Sequence, residues 1–351
     1  MQDADAGQRE QIISCLAELR RSDSAAEHRY SFGERTVCVR YLDQSLFALL
    51  HPAIAHREMR SAGKADLTIH AFVGVRSPVR FAFSDWVESA RRWRSRPLSA
   101  DIPFASYLAG EDGRLDLLLG DLGEALTCFR DPQRIPAWDA AAPFRDILHA
   151  FHRLHDGHLV HGAVIADQRN AVLLAGPGGS GKSSTALACL MHSNLFYLGD
   201  DLCLIRRRGT SFEACSLYNS AKMLPHDVPR FGTALSPFDD SARGDGKPTF
   251  FTYPQLGQRL AASRPLRAIV LVRIDRSETS SFAAGSSGEA WRAVGPSTLS
   301  LLPGDAAGIR WLGDLAKGLP VFWLKVGSRR EEIPAAVARI LSKCADAQSA
   351  A

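Results

Sequence analysis

Gly176-Pro177-Gly178-Gly179-Ser180-Gly181-Lys182-Ser183 decides the reading of this chain. The eight residues fit G-x-x-x-x-G-K-[ST], a spacing that cradles phosphate. The apolar run Ala171-Val172-Leu173-Leu174-Ala175 leads into them, and a helix-like segment from Ser183 to Leu190 follows. That strand, turn and helix supply the context the motif needs, which argues against a plain Gly-Ser turn. The glycines let backbone N–H groups turn inward around an anion, at the positive end of the following helix. The expected nucleotide-binding residues are Gly176, Pro177, Gly178, Gly179, Ser180, Gly181, Lys182, Ser183 and Ser184. Lys182 is expected to reach the β- and γ-phosphates, and the Ser183 hydroxyl to ligate Mg²⁺.

Composition narrows the surroundings of this loop. With 351 residues, two domains are the natural expectation. Apolar residues make up 46% and charged residues 23%, enough for a sizeable core. A formal net charge of +4 is too small to point to nucleic acid as a partner. The start, Met1-Gln2-Asp3-Ala4-Asp5, is acidic with no apolar run behind it, so no secretory signal is read there. No apolar stretch approaches membrane-spanning length, so no membrane partner is expected. The seven cysteines are scattered without a C-x-x-C pair. They read as reduced thiols of a cytoplasmic protein and argue against zinc.

Residues 1–141 show short runs with strand alternation, such as Thr36 to Arg40, Leu67 to Val73 and Leu115 to Leu119. They predict half-buried antiparallel strands and a β-rich α+β accessory or substrate-recognition domain. Asp131 to Pro143, with Pro132, Pro136 and Pro143, reads as a linker. A catalytic domain is expected over 142–351. It opens with a helix from Phe144 to His155 and continues with strands over Leu159 to Ala166 and Ala171 to Ala175. Leu195 to Leu198 form a further strand ending at Gly199-Asp200-Asp201, and Ser277 to Ser297 read as a loose Ser/Gly-rich segment. His149, His152, His155, His158 and His161 recur at every third position, a step that drifts around a helix rather than converging on a metal. The basic run Arg91 to Arg96 reads as a solvated face, and Arg206-Arg207-Arg208 as an exposed hairpin end. Arg243, Lys247 and Arg264 are candidate cations to close over phosphates.

The second constellation is Asp200-Asp201, at the end of an apolar strand. Carboxylates there can hold the water shell of Mg²⁺ or accept a proton from an attacking hydroxyl. Asp201 follows Lys182 by only 19 residues (201 − 182), and the chain has neither an L-S-G-G-Q nor an N-K-x-D stretch, so transport ATPases and GTPases fit poorly.

His161-Gly162-Ala163-Val164-Ile165-Ala166-Asp167, then the P-loop, then Gly199-Asp200-Asp201, resembles the catalytic core of HPr kinase/phosphorylase and its relatives over about residues 144–220. The resemblance implies an α/β fold of the HPr kinase C-terminal type, a mixed sheet with flanking helices, working with ATP and Mg²⁺. It implies that Lys182 binds the transferring phosphate and that Ser183, Asp200 and Asp201 serve the metal. Asp201 would be the general base for a seryl hydroxyl, and His161 would sit near the γ-phosphate or the acceptor. The chain lacks the E-x-R-G-x-G segment of HPr kinases proper. It therefore looks like a related branch that includes lasso-peptide precursor kinases, with a peptide or small protein as acceptor. A small-molecule kinase, for example of free serine, and a non-catalytic ATP-binding regulator stay open, as does assembly into a homo-oligomer.

Overall fold

The computed structural model describes residues 2–22, 26–60, 63–74, 104–108, 113–222, 225, 228, 237–238, 248–302 and 304–349. The protein is a mixed α/β chain of two compact units, residues 1–155 and 156–351.

The first unit holds α1 (Gln2–Arg20), β1 (Ala26–Phe32), β2 (Arg35–Tyr41), α2 (Gln44–Leu50), β3 (Leu67–Val73), β4 (Phe104–Leu108), β5 (Arg114–Leu119), β6 (Glu124–Phe129), α3 (Ala137–Ala141) and α4 (Arg145–Arg153). Its sheet runs β1-β2-β3-β6-β5-β4. The pairs β2·β3 and β3·β6 are parallel, so the sheet is mixed rather than antiparallel. The crossover through α2 permits this, since parallel neighbours need a connection longer than a hairpin. Ile12, Cys15, Leu16 and Leu19 of α1 pack on Phe72, Leu115, Leu117 and Leu126.

The expected linker over 131–143 is instead part of this core. Ile135, Ala137, Ala140 and Ala141 are buried, and so is Asp139. The reason is Arg114, whose buried guanidinium stands 3.0 Å from Asp116 and 2.6 Å from Asp139 and also bonds Asp146. Those ion pairs tie α3 and α4 to β5. The helix expected to open the second domain therefore falls in the first unit, and the division lies at 155/156 rather than 141/142.

The second unit contains β7 (Gly157–His161), β8 (Ala163–Ala166), β9 (Ala171–Ala175), α5 (Lys182–His192), β10 (Phe196–Gly199), β11 (Leu202–Arg208), β12 (Ser211–Cys215), β13 (Ser220–Lys222), β14 (Pro237–Phe238), β15 (Thr249–Phe251), β16 (Ser263–Ile274), β17 (Ser281–Ala284), α6 (Ser287–Leu301), α7 (Ala306–Lys317), β18 (Val321–Val326) and α8 (Ile333–Ser349). Its main sheet runs β10-β8-β9-β16-β12-β11-β7, with β18 also on β16 and β17 on β18. β9 alternates strictly. Val172 and Leu174 face α5 and α8, while Leu173 and Ala175 face α6 and α7. A central strand covered on both faces is apolar throughout, as its sequence is.

Three expectations are corrected here. The run 159–166 is two strands, because the chain breaks at Gly162, where a Cβ would lie 2.7 Å from the Leu174 carbonyl oxygen. The Ser/Gly-rich stretch 277–297 is ordered into β17 and most of α6. A reciprocal cap between Ser286 and Glu289 starts that helix, and Ala290, Val294 and Thr298 bury its inner face. Arg206 is buried beside Glu213, and exposure begins only at the end of β11.

Candidate functional site

The glycine-rich loop leaves the C-terminal end of β9. β8 runs antiparallel to β9, and β10 antiparallel to β8, so β10 runs parallel to β9 and delivers Asp200-Asp201 to the same edge. β7 ends at that edge too, with His161 opposite Leu202 of β11. The chain thus links the two ends of the sheet path twice, through His161-Gly162 and through Asp200-Asp201. The links bond to each other, the Gly162 N–H donating to the Asp201 carbonyl (3.2 Å) and the Cys203 thiol to the Gly162 carbonyl (3.3 Å).

Within the loop, Gly176 has φ +151°, and a Cβ there would meet Ser180 Oγ at 2.7 Å and the Val272 carbonyl at 3.1 Å. Gly181, with φ +98°, precedes α5, and its carbonyl accepts from the Thr185 N–H (2.8 Å). Both positions require glycine. Lys182 is buried, and its Nζ donates to the carbonyls of Gly176 (2.8 Å) and Pro177 (3.1 Å), which bends the ammonium back over the loop. Ser180 Oγ and Thr185 Oγ1 are buried without a hydrogen-bond partner among the described residues.

The two acids have different surroundings. Asp200 is 2% exposed, and its carboxyl is pushed up to about 6, first by burial and then by the neighbouring Asp201 charge. The Ser183 hydroxyl and the N–H groups of Asp201 and Lys222 act against that rise by hydrogen-bonding to it. The Ser183 contact joins the glycine loop to the acid pair directly. Among the described residues, Asp200 Oδ1 has no hydrogen-bond partner. The Asp201 side chain is 38% exposed and takes a left-handed backbone, φ +67°. Such a conformation in a residue other than glycine costs on the order of 1 kcal/mol or more and collects at functional sites. His161 Nε2 lies 3.6 Å from Asp201 Oδ1, and Lys222 Nζ donates to Asp201 Oδ2 at 3.0 Å.

The structure therefore brings Gly176 to Ser184, His161, Asp200 and Asp201 to one sheet edge. Sequence reasoning missed two contributors. Lys222 arrives from β13, held near by the Tyr197 hydroxyl bond to the Ser220 carbonyl (2.7 Å). Thr298 of α6 accepts the His161 backbone N–H (3.0 Å). No local motif marks either residue. Arg264 is not at this site. It lies at the start of β16, at the opposite edge, where it donates to the Asp167 carbonyl (3.3 Å) and stands over the Phe196 ring. Arg243, Lys247 and Arg91 to Arg96 lie outside the described residues. Among the histidines at every third position, His149 and His152 are buried in α4 and His158 stacks on Trp311.

No protein-family model and no curated protein matches the chain. Among solved structures, the HPr(Ser) kinase/phosphatase from Coxiella burnetii aligns with 55% of this chain and 99% of its own length, at 9% identity and a TM-score of 0.31. A likeness of that size carries no argument about function. Among the described residues, no helix is long and apolar enough to cross a membrane.

Proposed function

We propose that this chain is a P-loop kinase that transfers the γ-phosphate of ATP to a hydroxyl of a peptide or small protein. A serine of a ribosomally made precursor peptide, of the lasso kind, is the acceptor to try first. The observation that carries the reading is the continuous run from the glycine loop through Ser183 to Asp200, Asp201 and His161.

The donor set suits a magnesium nucleotide. The Ser183 hydroxyl and the unpartnered Asp200 Oδ1 are hard oxygen ligands of the kind Mg²⁺ takes. At Gly178 and Gly179 nothing lies within 4 Å of where a Cβ would stand, which leaves that backbone open to close approach by phosphate. Bound Mg²⁺ and ATP would supply charge neutralisation and the phosphoryl group. The protein's part is positioning and proton transfer. Asp200, buried, stays behind Ser183 as a metal-side acid. Asp201, exposed at the edge, accepts the proton of the incoming hydroxyl at a carboxylate oxygen. His161 and Lys222 hold that carboxylate from two sides. Lys182 supplies the cation for the transferring group.

Transfer of labelled γ-phosphate by the full chain, offered serine-bearing peptides and free serine in parallel, tests this. Asp201→Asn is expected to bind ATP normally and to transfer about 10²–10⁴-fold more slowly. Parental transfer by that variant would remove Asp201 as the base. Transfer to free serine alone would favour a small-molecule kinase, and tight ATP binding with no acceptor-dependent turnover would leave a nucleotide-binding regulator.

A further inference from the structure

The first unit carries a second group of convergent donors, far in sequence from the glycine loop. His28 and Tyr30 lie two residues apart on β1 and so project from the same face. An isolated antiparallel bridge pairs Tyr30 with Glu58, which brings the Glu58 side chain beside His28. His51 arrives from the turn that follows α2. One ring nitrogen of each histidine and one Glu58 oxygen lie within 4.8 Å of one another, and among the described residues this is the one group of three or more His, Cys, Asp or Glu side chains so arranged.

We propose that His28, His51 and Glu58 form a binding site for a divalent transition-metal ion of the zinc class. Two imidazoles and one carboxylate, with room for water as a fourth ligand, are a donor set that such an ion accepts. Other contacts fix the donors. Tyr30 Oη lies 2.9 Å from His51 Nδ1. In the tautomer that protonates Nδ1, the ring donates to that oxygen and presents its Nε2 lone pair, the outer-shell arrangement typical of metal-bound histidine. The Phe47 ring stacks on both imidazoles, with centroids 4.3 Å from His28 and 4.5 Å from His51. It limits their rotation. His28 Nδ1 and Glu58 Oε1 share a hydrogen bond of 2.6 Å, which the ion would replace. The side chains of His28 and Glu58 are 25% and 41% exposed, so the group is open to solvent and to an entering ion.

The site is independent of the kinase reading, and its test does not use phosphoryl transfer. The full chain is dialysed against Zn²⁺ or Co²⁺, and the bound ion is counted. Tight uptake of one ion per chain is expected, with a Co²⁺ visible spectrum of a low-coordinate nitrogen and oxygen site and a rise in Tm. His51→Ala and Glu58→Gln should each abolish the tight uptake. Tyr30→Phe, which keeps the ring and removes only the outer-shell oxygen, should weaken it by about 10–100-fold. Asp200→Asn, in the other unit, should leave uptake unchanged. Absence of stoichiometric uptake by the parent chain would overturn the proposal. So would undiminished uptake in folded His51→Ala and Glu58→Gln, folding being checked by circular dichroism.

Discussion

Among the described residues, buried carboxylates gather around Arg114 in the first unit and stand singly at Asp200 in the second, and the two places differ in what surrounds them. Around Arg114, three aspartates share one enclosed guanidinium, with Arg145 3.7 Å from Asp139 as a second cation. At the sheet edge, Asp200 has a hydroxyl and backbone N–H groups but, among the described residues, no ion pair and one oxygen without a hydrogen-bond partner, and it adjoins an exposed second acid. Burial pushes both Asp116 and Asp200 up to about 6, so a raised carboxyl alone does not mark a functional site. The difference lies in access. A fixed arginine makes the first group a structural tie, whereas the second leaves one Asp200 oxygen open beside a glycine cradle.

Substitutions can break or sharpen that contrast. The largest effect is expected at Asp201→Asn, where loss of the proton acceptor should lower transfer by about 10²–10⁴-fold. Denaturant melts of that variant should move little, because the side chain is exposed. Arg114→Met should do the reverse. Leaving three enclosed carboxylates without their shared cation should cost about 3–5 kcal/mol, read from the urea midpoint. An unchanged midpoint would end the view of that group as a structural tie.

Acidity gives a third comparison. The folded values of Asp116 and Asp200 lie above the ordinary 3.8. As pH rises from about 4 to about 6, the unfolded chain releases these protons while the folded chain keeps them, so stability should fall across that window and level off above it. Asp200→Asn should flatten its share of the fall in melts taken across the window. A slope identical to the parent's would show that Asp200 is not the buried acid described. A smaller effect is expected at Lys222→Met, with kcat reduced roughly 10-fold and stability changed by less than about 1 kcal/mol, since partly exposed ion pairs contribute little to folding. Smallest is Ser286→Ala, which removes the cap of α6 and should cost about 1 kcal/mol in a thermal melt.

The elements legible in the sequence were those written contiguously. The glycine loop needs fixed backbone shapes at successive positions, and Asp200-Asp201 ends a strand whose apolar run announces it. His161 could be named because it precedes the loop by one hairpin. Lys222, Thr298 and the His28, His51 and Glu58 group come together through strand register and a crossover, which no local spacing records. Composition also misled. Serine and glycine around Ser286 hid a helix whose signature, Ser286 followed by Glu289, was present. The prolines at 132, 136 and 143 suggested a tether where Arg114, distant in sequence, draws Asp139 and Asp146 into the core.

The paired links at the seam of the second sheet have a consequence for how the chain can be rewired. Gly162 and Asp201 clasp one another, so new chain ends opened at either position would undo the sheet closure and scatter His161 and Asp201 together. New ends at the exposed turn around Gln168 and Arg169 would spare the clasp. Circular permutants cut at these places would separate a chain that merely folds from one that also keeps its reactive edge assembled.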